Sequence, residues 1–535
     1  MKYILSIILT LTLPLMSFSQ VTESDSLALV DFFNALGGDN WYNKTRWLKG
    51  SVSEWRGIRV DSGRVSSITL SSNNLIGSLP ESLNDLDKLE FIFLARNEIT
   101  GTLPKVDSLV NLKVLDLSVN PLDTTFPESI RGLINLTELN LAETGLTDTL
   151  PEWLPELTNL ISFNISSNNL TGEYYSQLSQ LTKLELIDIF GNEFSGPIRD
   201  FSVIPRLRDL SLGGNDFTGP FPEWITELQF LRYLHIGGCD LSGPVPDSLF
   251  SKVNRNMIEL VLSNNDFYGD LQNIMDAPLI RLNRLELARN NFSGYIPEGI
   301  IDPKVMFKWS IGYNNIEGIP DFSMADQTVN WFYCNDNKLG FEYLETCLNI
   351  KEPQPNRIAL GPQQPLLEEE HLRPAMGERL ELQSGSGGAN SQYQWYKDSM
   401  PIPGANQSEY VINDFKPGDE GIYHCVISNN LFEFDLVRNP VWIENTVSTR
   451  DDDMKKPIKI FPNPFRSTFE IQLNDQLTLD QVQIELMKES GQIIRVFKPS
   501  SHEFIVDIND QPDGVYIIIV KLNGSILFKK VMKQK

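Results

Sequence analysis

The side chains best suited to chemistry are dispersed along this chain. Four histidines, His235, His371, His424 and His502, fall in different stretches, and no HExxH, CxxC, GxSxG or phosphate-loop spelling accompanies them. Acidic residues are abundant, 70 Asp and Glu against 45 Lys and Arg, but no spacing selects a carboxylate pair of the kind glycosidases use. Catalysis is therefore not expected, nor is a cofactor. No metal site is expected either, since no Asp-rich loop of calcium-binding spacing occurs. What remains is recognition chemistry. Asp188, Phe190, Asp209, Tyr233, His235, Glu259 and Arg284 combine flat aromatic faces with acceptors and a guanidinium, a set suited to a peptide or a sugar. They can act together only if the fold brings distant positions to one surface.

A repeat supplies such a fold. Segments such as "NRLELARNNFSGYIPEGI", "LRDLSLGGNDFTGPFPEWI" and "LRYLHIGGCDLSGPVPDSL" align on one polar position, at 73, 97, 120, 144, 168, 192, 215, 239, 265, 290, 314 and 337. The spacing is 23 to 26 residues throughout, the mark of stacked supersecondary units. Residues eight, five and three before the Asn are apolar, as in Leu282, Leu285 and Leu287; the last two lie on one face of a short strand. The Asn itself is expected inside, its amide satisfying turning backbone, because an unpaired buried amide costs about 1–3 kcal/mol. Thr144 and Cys239 replace it in two repeats. Gly four residues on and Pro beyond suit a bend and an irregular convex side; Thr124 and Asp148 break the Gly rule, so a different bend is expected there. Residues six, four and two before the Asn should face outward. That places Phe190 and Tyr233 across a floor of Gly213 and Gly237, with Phe91 and Phe93 as a second, smaller aromatic patch.

The pattern LxxLxLxxNxLxGxIPxxL resembles the plant-type leucine-rich repeat. The resemblance implies a right-handed solenoid over residues 65–350, about 12 repeats, with a parallel sheet on the concave face and caps at both ends. Residues 20–64 resemble the amino-terminal cap, with Trp41, Trp47 and Trp55 expected to replace the paired cysteines usual in plant receptors. "FEYLETCL" reads as a closing helix. Cys334 and Cys347 fit either a disulfide, which would add about 3 kcal/mol, or two buried thiols.

Beyond a Pro-rich linker at 351–362, residues 363–446 resemble an immunoglobulin-like β-sandwich. Trp395, Tyr423 and Cys425 stand at its core positions, with Ser384 where the second cysteine belongs. After a charged linker at 447–457, residues 458–535 resemble the type A sorting domain of the type IX secretion system. The match rests on Phe461-Pro462-Asn463-Pro464, the Gly491 turn, Gly514-Val515-Tyr516 and a Lys-rich ending. The overall class is thus mixed and β-rich, a solenoid followed by two small β-sandwich domains. The resemblance implies a Gram-negative bacterium whose secretion machinery recognises this last domain.

Residues 1–19 read as a signal peptide: Lys2, an apolar run to Met16, then small residues. No other stretch approaches the ~20 apolar residues of a membrane span. A net charge of −25 disfavours nucleic acid and anionic membrane as partners. The expected role is a secreted or surface-attached binding protein, reached via the periplasm, that captures a protein, peptide or glycan on the concave face. The competing reading is a structural or adhesive surface component with the repeats as a stalk.

Overall fold

The computed structural model describes residues 21–251, 256–274, 281–297, 308–323, 331–350, 357–444, 458–461, 467–473, 478–488, 493–512, 514–522 and 525–533. The signal peptide, the linker at 447–457, Pro462 to Pro464 and Gly491 lie outside these residues. Among the described residues no helix is long and apolar enough to cross a membrane.

The apolar triplet of each repeat builds one sheet. Fourteen strands run side by side, opening with the antiparallel pair Ile58–Asp61 and Arg64–Thr69 and continuing in parallel, one three-residue strand per repeat. Equivalent positions are in register, as Leu210 is with Leu234 and Leu234 with Leu260. In the central strands the middle residue is buried and its two neighbours are half-exposed, which separates core from concave surface residue by residue.

The polar position forms a ladder through the interior. Asn215 donates from Nδ2 to the carbonyls of Ile189 at 3.0 Å and Leu212 at 2.8 Å, while its Oδ1 accepts from the Phe194 amide at 3.1 Å. Thr144 holds its rung through Oγ1, which donates to the Leu141 carbonyl at 2.7 Å, and Cys239 turns its thiol toward the Leu212 carbonyl at 4.0 Å.

The expected linker at 351–362 contributes a further strand of the solenoid, and Gln363 just beyond it forms a thirteenth rung. Ile358–Ala359 pairs with Trp331–Tyr333 as the last strand of the sheet. Gln363 Oε1 accepts from the Asn337 and Leu339 amides at 3.1 and 3.4 Å, and its Nε2 donates to the carbonyls of Cys334, at 3.0 Å, and Leu360. These are the bonds an asparagine makes elsewhere in the ladder, reached here with one more methylene.

The residue just before each ladder position takes a left-handed conformation in all twelve repeats, from Ser72 to Asp336. Gly191, Gly214 and Gly238 suit it; Val119 and Tyr313 hold φ of 56° and 59° at a cost of roughly 1–2 kcal/mol each. The convex side is more regular than expected. Residues after the ladder pair into a six-stranded parallel sheet from Ser195–Pro197 to Asn315–Gly318, with two-stranded pieces upstream. Asp148 does not change the bend: it adopts φ 77°, close to the 79° of Gly172.

The amino-terminal cap packs helix Glu23–Ala35 with a cluster of three tryptophans. Trp47 lies 4.9 Å from both Trp41 and Trp55, centroid to centroid, and Phe33 is 5.0 Å from Trp41. Each indole donates to a backbone carbonyl, of Leu36, Arg56 and Lys49. Fully buried Asp25 pairs with Arg64 at 2.8 Å and accepts from the Val65 amide at 2.7 Å, tying the helix to the first long strand. At the other end Cys334 and Cys347 are buried free thiols and form no disulfide; burial raises both, Cys347 to about 12.

Two sheets follow. Glu370–Leu372, Val441–Ile443, Gly421–Asn429, Ser391–Lys397 and Met400–Pro401 form one, and Leu380–Gln383 pairs with Glu409–Ile412. Trp395, Tyr423, Cys425 and Ser384 are all buried, Trp395 standing in register with Cys425. With serine at 384, Cys425 remains a free thiol.

A second compact unit contains residues 444–535 with two short segments from upstream. It holds two antiparallel sheets, Ile458–Phe461, Thr468–Leu473 and Glu503–Asp507 in one, Ile493–Phe497, Val482–Lys488, Gly514–Leu522 and Ser525–Lys533 in the other. Phe469, Ile471, Ile484, Leu486, Tyr516 and Ile518 form its apolar centre. Buried Glu485 is neutralised by Lys521 at 2.5 Å.

Candidate binding site on the concave face

Strands Leu186–Asp188, Asp209–Ser211, Tyr233–His235 and Glu259–Val261 lie in consecutive register, so their outward residues form two columns. Asp188, Asp209, Tyr233, His235 and Glu259 line one hollow of about 230 Å³. Arg284 does not line it but reaches Glu259 at 3.1 Å from the next strand. Phe190 is not part of the lining. It follows the strand's end, and a Cβ placed on Gly214 would come within 3.3 Å of its Cζ, so the ring lies over that turn. Nor is Gly213 an open floor. A Cβ there would stand 2.3 Å from the Gly237 carbonyl oxygen, so glycine is required by the close approach of successive turns.

Charge is divided unevenly across this surface. From His235 onward the two outward carboxylates of this face, Glu259 and Glu286, are matched: His235 to Glu259 at 3.1 Å, Arg284 to Glu259 and to Glu286, Lys308 to Glu286 at 2.7 Å. The His235 bond, followed by the Arg284 charge, holds the Glu259 carboxyl below its ordinary value. Asp188 and Asp209 differ. Neither forms an ion pair among the described residues, and burial pushes both carboxyls above the usual range. Asp188 accepts from the Phe190 amide at 3.1 Å and from the hydroxyls of Ser211 and Ser166. The hollow therefore presents two poorly solvated acceptors beside a phenol and an imidazole, and no nucleophile positioned by a base.

The outward columns were legible from spacing alone. The pairing of Glu286 with Arg284 and Lys308, missed by sequence reasoning, was signalled by a cation two residues before it on the same strand and another at the equivalent position of the next repeat, at 284 and 308.

Residues 68–241 match the family model of a leucine-rich repeat region, and residues 459–534 match that of a secretion system C-terminal sorting domain. The chain carries leucine-rich repeats of the plant type. An inactive leucine-rich repeat receptor-like serine/threonine-protein kinase of Arabidopsis thaliana is 36% identical over 114 residues, 21% of this chain and 17% of that protein. Phytosulfokine receptor 1 of the same plant is 36% identical over 118 residues, 21% of this chain and 12% of the receptor. The chain thus spans less than a fifth of these curated relatives, and the likeness is to their repeats rather than to a kinase domain. Among solved structures, the Arabidopsis receptor kinase HAESA, in complex with the peptide hormone IDA and the co-receptor SERK1, shares 26% identity at a TM-score of 0.53, covering 60% of this chain and 54% of that one. The ectodomain of GASSHO1/SCHENGEN3 from Arabidopsis thaliana shares the fold at 22% identity and a TM-score of 0.52, over 65% and 45%. A leucine-rich repeat region is thus joined to a sorting domain of the kind that directs secretion.

Proposed function

We propose that the central concave hollow takes a cationic group from an extended peptide, and that the sorting domain delivers the protein across the outer membrane from the periplasm. The observation that carries the first part is the pair Asp188 and Asp209, which form no ion pair among the described residues, although the Arg232 and Arg208 charges lie near Asp209, on a face where Glu259 and Glu286 are directly paired. A lysine, arginine or amino terminus would complete the pattern, with Tyr233 supplying a flat face. A net charge of −25 would steer basic ligands toward the protein. HAESA, whose complex contains a peptide hormone, supports a peptide over a flat protein surface.

A screen of basic peptides by calorimetry tests this reading. Asp188→Asn and Asp209→Asn are each expected to weaken the best binder at least tenfold, about 1.4 kcal/mol, and to reduce its salt dependence. The same changes should raise the melting temperature at neutral pH. Burial lifts the folded-state pKa above the unfolded one, so stability falls as pH rises through the window starting near 4. The gain in the variants should vanish below that window. Unchanged affinity in both variants would remove the cation reading. Deleting residues 458–535 is expected to leave the protein in the periplasm; normal levels of the truncated form outside the cell would refute the sorting role.

A further inference from the structure

Four strands away from the hollow, at the amino-terminal end of the same face, Phe91 and Phe93 project from one strand. Their rings are parallel to within 4°, with centroids 6.5 Å apart, and both are half-exposed. The neighbouring strands frame them with polar groups. Ser67 and Thr69 stand in register on one side, their hydroxyls 3.3 Å apart. Val114 and Asp116 stand in register on the other. The Lys113 ammonium, paired with Glu90 at 2.6 Å, lies 5.9 Å from the Phe91 centroid.

We infer that Phe91 and Phe93 form a stacking platform for a neutral, β-linked glycan. A pyranose with equatorial substituents has an apolar C–H face and a rim of hydroxyls. Two parallel phenyl rings meet the face, and the Thr69 and Asp116 oxygens meet the rim. Parallel rings on one straight strand suit an extended chain of sugars better than a coiled one. The charge around the platform favours a neutral ligand, because Lys113 is already paired and Asp116 leaves a single negative charge. The dimensions exclude a protein partner as occupant: two half-exposed rings offer roughly 200 Å², against roughly 800 Å² per partner in a standard interface. At about 4.8 Å per strand the platform stands roughly 19 Å from the peptide hollow, so the inference does not depend on that reading.

Affinity electrophoresis of the whole mature protein through gels containing a soluble β-1,3-glucan, a β-1,4-glucan or a β-mannan tests the platform. Retardation by at least one of them is expected. Phe91→Leu with Phe93→Leu keeps apolar volume but removes the flat faces; it should weaken retardation at least tenfold while leaving the melting temperature within error. Phe91→Trp with Phe93→Trp should retain or strengthen binding. Absence of retardation of the wild-type protein by all three polymers, or equal retardation of the leucine variant, would overturn the inference. So would loss of basic-peptide binding in the leucine variant with no effect on any glycan.

Discussion

Asn215→Leu is expected to destabilise the solenoid by several kcal/mol. The side chain is almost fully buried, and leucine has similar size, so packing alone predicts little change. The hydrogen bonds predict much more. Removing the amide leaves the Phe194 N–H without its acceptor at 3.1 Å and the Leu212 carbonyl without its donor at 2.8 Å, while the Ile189 carbonyl keeps Asn192 Nδ2 at 3.1 Å. Each orphaned buried group costs about 1–3 kcal/mol, and the rung couples two repeats, so both should loosen together. Asp216→Ser, one residue on at an exposed position, should stay within about ±0.5 kcal/mol. Chemical denaturation of both variants decides the matter: equal stabilities would mean that the ladder is not what holds successive repeats in register.

The ladder was legible because its chemistry tolerates few residue types. An amide that must donate to two carbonyls and accept from a neighbouring amide can be found by its recurrence. The same reasoning lost the thirteenth rung, since Gln363 changes the residue type and ends a Pro-rich stretch, even though its spacing of 26 from Asn337 fits the repeat. It also lost the left-handed residue before each rung. Gly191, Gly214, Gly238, Asn264 and Asp336 carried that signal, but Val119 and Tyr313, which adopt the conformation under strain, concealed it. At the site, outward positions six and four before the rung followed directly from strand alternation. Phe190 did not, because alternation ends with the three-residue strand and the next residues belong to a turn. Charge pairing across repeats depends on side-chain reach, which spacing does not record; that is why the difference between paired Glu259 and unpaired Asp188 emerged only in three dimensions.

A fragment ending at residue 350 should be far less stable at its carboxyl end than one ending at residue 444. The closing helix Phe341–Leu344 is not finished by the repeats themselves. Phe341 stacks on Phe432 at 5.2 Å and Phe434 at 6.0 Å, and its amide donates to Ser386 Oγ at 2.8 Å. Glu342 accepts from the Gly387 amide at 2.7 Å. Glu345 accepts from the Ala389 and Asn390 amides and, at 2.7 Å, from Asn429 Nδ2. Cutting at 350 removes all of these and Gln363 as well, leaving the Asn337 and Leu339 amides unpaired and the last strand as an open, apolar edge. The β-domain thus does the work that a disulfide between Cys334 and Cys347 would otherwise have done. Because each repeat contacts only its neighbours, the damage should be local. Amide exchange should accelerate first in residues 331–350 of the short fragment, while protection in the tryptophan cap stays as it was. The point variant Gln363→Ala in the full chain should reproduce part of the effect, about 1–3 kcal/mol for each amide left unpaired. Identical exchange protection in the two fragments would show that the solenoid closes without the domain that follows it.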